Sequence, residues 1–308
     1  MTTTRGLMNQ LLLALLPAAV VMTWWFGFGI VLNIVIAGTA AILCEFVVLR
    51  IQGKPLNTLL DGSAIVTAAL LALALPPMLP GWMIILGTGF AILLAKHAYG
   101  GLGHNIFNPA MVGYAVLIIS FPLAMSQWPN PGHHLPLSEL LPVKAGMAAV
   151  DGFTMATPLD QFKFRNTGEH WTQTMQQNRY PWMMINAAFL LSGCYLLVRK
   201  ICRWHGPVAM LGTLALLSLL FYDDGSARSL GSPLLHLFSG ATMMGAFFIV
   251  TDPVTSPETV RGQWLFGIGV GIFTFLIRTT GAYPEGLAFA VLLMNGATPF
   301  INYLEYRR

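Results

Sequence analysis

Charge is what this sequence has least of: only 9% of its 308 residues are Asp, Glu, Lys or Arg. A soluble domain carries about a quarter, so an ordinary soluble enzyme is excluded. Disorder is excluded for the opposite reason. Disordered chains need low hydrophobicity and high net charge, whereas this one is 56% hydrophobic, with 19 Phe, 16 Met and 8 Trp. Cysteine is scarce as well: Cys44, Cys194 and Cys202 are too few and too scattered for a disulfide framework or a metal cage, and read as small hydrophobes. A small-x-small cleavage site is missing before Asn33, so the apolar run from Leu11 reads as a first membrane span and not as a signal peptide. What remains is a polytopic membrane protein, with mean hydropathy +0.67. In that class the net charge of +4 signals topology and not nucleic acid, because Lys and Arg gather in cytoplasmic loops.

A bilayer core takes roughly 20 apolar residues per helix, with about 17 as the lower limit. Ten runs approach that length: 11–28, 29–49, 59–77, 80–97, 110–126, 182–199, 207–222, 234–251, 264–279 and 286–303. With the N-terminus inside, Arg5, Arg50, Lys54, Lys96, Arg199, Lys200, Arg203, Arg261, Arg307 and Arg308 fall on the cytoplasmic side. Only Arg228 and Arg278 fall in short outer loops. Both termini are therefore expected to be cytoplasmic, and the long segment 128–181 periplasmic. This gives an all-α polytopic fold of about ten helices in three parts: a five-helix half over 1–127, the loop 128–181, and a second five-helix half over 182–308. Asp61-Gly62-Ser63-Ala64 in the third span is echoed by Ser239-Gly240-Ala241-Thr242 in the eighth, and the glycine-rich loop 100–109 by 281–286. Repeating an odd number of spans inverts the second copy, so a 5+5 inverted repeat is expected.

Ionisable residues near spans are costly in hydrocarbon and mark partners or cavities. They are Glu45, Asp61, His236, Asp252 and Arg278. Asp61 and Asp252, each beside a helix break, are candidates for an ion path, with helix capping as the plain alternative. The glycines of Gly100 to Gly103 have no preceding strand, which removes a dinucleotide reading. Gly267, Gly269 and Gly271 read as a helix-packing surface, and His133-His134 lacks further ligands at metal spacing.

The most informative stretch is Asp151-Gly152-Phe153-Thr154-Met155-Ala156-Thr157-Pro158-Leu159. By physics alone it is a polar, hydroxyl-rich turn. It also resembles the flavin-attachment motif Asp-x-x-Ser/Thr-Gly-Ala-Thr of membrane subunits in two related electron-transport complexes, with Met155 where the general motif has Gly. The resemblance extends to Asp61 to Thr67 with Leu75-Pro76-Pro77, to the loop 101–110, to Thr251-Asp252-Pro253-Val254-Thr255-Ser256-Pro257, and to Ala288 to Asn295. In that order these resemble the D-subunit family of the Rnf (Rsx) complex, and less closely the B subunit of the Na+-translocating NADH:quinone reductase.

The resemblance implies a bacterial inner-membrane subunit that carries electrons between ferredoxin and NAD+ with coupled ion movement. It implies FMN joined through its phosphate to the hydroxyl of Thr157 by a flavin transferase, with Asp151, Thr154 and Ala156 completing the motif. Lys163 and Arg165 are the nearby basic residues that would counter the phosphate or a reduced flavin, or else form a generic basic loop. Its partners would be the A, B, C, E and G subunits of the complex and membrane lipid, and a second, noncovalent flavin is left open. A cofactor-free channel or transporter for small solutes is the alternative from a different class.

Overall fold

The computed structural model describes residues 3–148, 154–165, 176–223, 226 and 228–306. Asp151, the first residue of the flavin-like motif, lies outside them, as do Arg307 and Arg308. The chain divides into two compact units, Met1–Met155 and Ala156–Arg308. The division falls inside the segment 128–181, at the peptide between Met155 and Ala156, so the two ends of that segment fold with different units.

The first unit opens with α1 (Thr4–Phe26) and α2 (Gly29–Ile51). On α1 the large side chains Leu13, Leu16, Val20 and Trp24 are exposed, while Ala14, Leu15, Ala18, Met22 and Phe26 are buried. A stripe of exposed Leu, Val and Trp along one helix face is what lipid contact requires. A 3-10 turn (Leu56–Asp61) then breaks at Gly62, which has φ +83°, before α3 (Ser63–Ala74). The third run is thus a broken span, and α3 alone covers only about 18 Å at 1.5 Å per residue. α4 (Gly81–Gly89) continues as a π-helical segment, Phe90–His97. α5 (Pro109–Ser120) ends at Phe121, where α6 (Pro122–Ser126) begins. Of the segment beyond, a two-residue ladder pairs β1 (Trp128–Pro129) with β2 (Thr154–Met155), and α7 (Leu137–Lys144) lies between them in the chain.

The second unit begins with α8 (Pro158–Lys163), followed by α9 (Gln176–Val198) and α10 (His205–Leu220). The eighth run is also broken: α11 (Pro233–Phe238) stops at Ser239, Gly240 takes φ +59°, and α12 (Thr242–Met244) continues as a π-helical segment, Gly245–Ile249. α13 (Val260–Thr280) and α14 (Leu287–Tyr306) complete it. Among the described residues, five helices are long and apolar enough to cross a membrane, namely α1, α2, Arg179–Val198 of α9, α13 and Leu287–Glu305 of α14. The shorter apolar helices lie at 63–74, 81–97, 109–120 and 205–220. The fold is an all-α, multi-pass membrane protein, and each of the ten apolar runs carries a helix or a broken helix. The Gly267, Gly269 and Gly271 surface is close-packed as expected. A Cβ on Gly267 would meet Gly206 O at 2.5 Å and one on Gly271 would meet Met210 O at 2.8 Å.

Candidate functional site

Thr157-Pro158-Leu159-Asp160 is a helix start written in four residues. Proline suits the first helical position because its missing N–H would be unpaired there anyway, and a hydroxyl before it caps the turn. Thr157 Oγ1 accepts from Asp160 N (3.2 Å), and Asp160 Oδ2 accepts from Thr157 N (3.1 Å), which closes a capping box. A third bond is added: the Thr157 hydroxyl donates to Asp160 Oδ2 at 2.6 Å. Thr157 is half-buried while Ala156 and Met155 are exposed. Asp160 is buried; that burial, with Glu285 nearby, raises its carboxyl above the ordinary range against the opposing pull of the Thr157 hydrogen bonds. A phosphoester needs a hydroxyl oxygen, and the one here is held on a carboxylate beside exposed chain, so the residues present fit such a group. Thr154 belongs to the first unit, in β2 opposite Pro129.

The basic residues are committed to carbonyls. Lys163 donates to Ile277 O (3.4 Å) and Arg278 O (3.1 Å), the carbonyl end of α13, and Arg165 donates to Ser229 O at 2.6 Å with its guanidinium 4.8 Å from the Phe162 ring. Leu159, Phe162 and Leu235 make a small apolar core beneath them.

Behind α8 lies a buried ionic cluster that the sequence signalled only in part. Arg278, on the last turn of α13, has a fully buried side chain. It donates from Nη1 to His236 O (2.8 Å) and from Nη2 to Thr242 Oγ1 (2.9 Å) and Glu285 Oε1 (2.8 Å). Glu285 Oε2 accepts from Ala241 N at 2.9 Å. The break around Gly240 is thereby filled by a carboxylate, a guanidinium and a hydroxyl, and Asn186 donates to Gly240 O at 3.1 Å. Arg278 is thus no loop cation. A matching cluster sits in the first unit: Lys96, at the end of the π segment, donates to Glu45 Oε1 (2.5 Å) and Ser63 Oγ (2.7 Å), with His97 Nε2 3.0 Å from the same carboxylate oxygen. Lys96 and Glu45 are buried, so this base serves a buried ion pair and is not exposed as Arg50 and Lys54 are. In each unit a cation near the end of one span meets a hydroxyl just after a glycine break and a carboxylate.

Asp61 and Asp252 accept hydrogen bonds from residues two positions further along the chain. Asp61 Oδ1 accepts from Ser63 N (2.7 Å) and Ser63 Oγ (2.5 Å), and Asp252 Oδ1 from Val254 N (3.0 Å). Asp61 has the geometry of a cap beside the Gly62 break, whereas Asp252 caps the turn after the π segment and does not adjoin the break at Gly240. In the glycine-rich loop Gly100, Gly101 and Gly103 all have positive φ, and Asn108 caps α5 by accepting from Met111 N. His134 Nε2 lies 2.8 Å from Trp24 O.

Lys144, in α7, escaped sequence reasoning. It is buried and donates to Asn33 Oδ1 and Leu79 O, while Asn33 donates to Leu75 O and Pro76 O. The link between α3 and α4, which turns at Pro77–Met78, is thus tied by side chains, and burial pushes the Lys144 ammonium down to about 7.

Broken apolar spans with buried, paired charges at their breaks define an integral membrane protein of the transport or energy-coupling kind. Comparison with known proteins narrows this. The chain belongs to the NQR2, RnfD, RnfE family, whose sequence profile matches residues 1–308. It is 47% identical over 313 residues to the D subunit of the ion-translocating oxidoreductase complex of Pseudomonas paraeruginosa, covering 97% of this chain and 90% of the relative. Proteins of the same description are 44% identical in Cellvibrio japonicus (97% and 89% covered) and 43% identical in Salmonella paratyphi B (97% and 92% covered).

Proposed function

We propose that this chain is the D-type subunit of an ion-translocating electron-transfer complex in the bacterial inner membrane, and that it carries FMN as a phosphoester of Thr157. The full-length likeness to proteins of that description supports the first part. The carrying observation for the second is the Thr157 hydroxyl, held by Asp160 at 2.6 Å beside exposed Ala156 within the motif-like stretch. When bound, the flavin supplies the one- and two-electron chemistry that side chains lack. Thr157 would tether it, Thr154 and Ala156 would serve recognition by a flavin transferase, and Asp151 belongs to the same motif. Lys163 and Arg165 act through position: they pin α8 to the end of α13 and to Ser229 while placing positive charge next to the attachment turn. The partners in this reading are the A, B, C, E and G subunits and lipid. The cytoplasmic placement of the termini draws on exposed bases: Arg5, Arg50, Lys54, Arg199, Lys200, Arg203 and Arg261 against Arg228 among the described residues.

The test is in-gel ultraviolet fluorescence of the denatured protein from cells expressing the transferase, since only a covalent flavin survives. Thr157→Val should lose the band and Thr154→Val should keep it; a normal band in Thr157→Val sinks the assignment. Asp61, at the Gly62 break, and Asp252, in the turn after the π segment, stay in the proposal as polar-path residues. Their Asn variants should then impair ion transport in assembled complex, and normal transport in both would leave them as caps.

A further inference from the structure

We propose that Asp160 is the general base of the attachment reaction: the acceptor protein itself carries the group that takes the Thr157 proton. The inference rests on the flavin reading above and goes beyond it, because the resemblance assigns Asp160 no role. Its warrant is the third hydrogen bond of the turn. A capping box needs only that the Thr157 oxygen accept from Asp160 N and that the Asp160 carboxylate accept from Thr157 N. Here the hydroxyl proton also points at Asp160 Oδ2, 2.6 Å away. Glutamate is the usual carboxylate at this position of the box; the shorter aspartate brings one oxygen within reach of both the Thr157 N–H and its O–H. A hydroxyl has one proton and two lone pairs. The proton is donated to the carboxylate, one lone pair accepts from Asp160 N, and the other is left for bond formation.

The reaction balances with a pyrophosphate-linked flavin, a flavin dinucleotide, as donor. Thr157 Oγ1 forms a bond to the phosphorus that carries the flavin. The bond from that phosphorus to the bridging oxygen breaks, its electron pair leaves with the nucleoside monophosphate, and the hydroxyl proton passes to Asp160 Oδ2. Nothing is oxidised or reduced. The surroundings of Asp160 suit the task. Its carboxylate is buried and lies near Glu285, which keeps it a better base than an exposed aspartate. Arg278 is bound to Glu285, and Lys163, on Asp160's own helix, is turned to the Ile277 and Arg278 carbonyls. A protonated Asp160 also spares the product phosphodiester a facing negative charge.

The test uses the full-length chain purified in detergent from cells lacking the transferase, then incubated with purified transferase and FAD while the fluorescent band is timed. General-base removal typically costs about 10²–10⁴-fold, so Asp160→Asn should label at least about 100-fold more slowly and lose the fall in rate at low pH that the wild type shows. A purely structural cap would lower the melting temperature without removing that pH limb. Labelling of Asp160→Asn within about threefold of wild type, with the same pH profile, overturns the proposal. Should Asp160→Asn fail to accumulate, Asp160→Glu and Asp160→Gln differ only in the carboxylate; equal rates for the two overturn it as well. A wild-type chain left unlabelled by active transferase instead overturns the flavin reading itself.

Discussion

Gly240→Ala is the substitution whose cost can be worked most directly from the structure. The backbone there has φ +59°, where an L side chain costs about 1–2 kcal/mol. The added methyl would overlap Glu285 Oε2 and lie 2.8 Å from Leu159 Cδ1. Glu285 has to move, and with it go the Ala241 N–H bond and the pair with the buried Arg278 guanidinium. Breaking a buried pair costs about 3–5 kcal/mol; Glu285 retains some exposure, so the lower value applies, and the total is about 4–5 kcal/mol. At about 2 °C per kcal/mol for a chain of this size, the melting midpoint should fall by roughly 8–10 °C. Gly212→Ala is the control, since nothing lies within 4 Å of its Cβ position on α10; it should be neutral or stabilising by up to about 1 kcal/mol. The assay is thermal unfolding of the purified chain in detergent, with Glu285→Ala completing a cycle. Once Glu285 is gone, Gly240→Ala should cost only its backbone share, about 1–2 kcal/mol. A Gly240→Ala protein that melts with wild type, or a cycle that is additive, would refute the reasoning.

Lys144 is held at about 7 by burial, well below its free value of 10.5. The folded state therefore bears the full penalty of a buried ammonium below pH 7, and the penalty is relieved as pH rises from 7 towards 10.5, by at most about 5 kcal/mol. Stability followed by urea denaturation should rise across that window in the wild type and rise less in Lys144→Met; parallel curves would remove Lys144 as the cause. For topology, Ser138→Cys and Arg199→Cys both place a thiol at an exposed position. In spheroplasts of a background free of native cysteines, an impermeant thiol reagent should label only the first, and labelling of only the second would invert the orientation.

The ten apolar runs were legible because hydrocarbon demands contiguous hydrophobicity, a property written locally in the chain. The break at Gly62 was legible in outline, as Asp-Gly-Ser interrupts an apolar run, whereas in the eighth run the chain breaks at Gly240 and not beside Asp252, where the sequence suggests it. The ionic clusters were only half legible. Glu45 and Lys96 are 51 residues apart and meet through the packing of α2 against the π segment, so neither names the other in sequence. Lys96 followed the rule for loop bases and turned out to be buried. Lys144 was hidden by its setting in a long extramembrane segment. Asp160, by contrast, was legible: Thr157-Pro158-Leu159-Asp160 has the Thr-x-x-Asp spacing of a capping box.

The two break clusters differ in the cation they use, and the difference has a physical reason. Lys96 is a compact charge serving Glu45 and Ser63, two partners that a single ammonium can reach together. Arg278 serves three acceptors on separate elements: the His236 carbonyl that ends α11, the Thr242 hydroxyl that starts α12, and Glu285 ahead of α14. Only a planar fork with donors facing different directions satisfies all three at once. The backbone carbonyl of the same Arg278 accepts from Lys163, so the residue that braces the break also anchors the helix that Thr157 caps. A group tethered to Thr157 would therefore be held by a turn fixed to the end of α13, and its position would follow the break around Gly240, not the freedom of a surface loop.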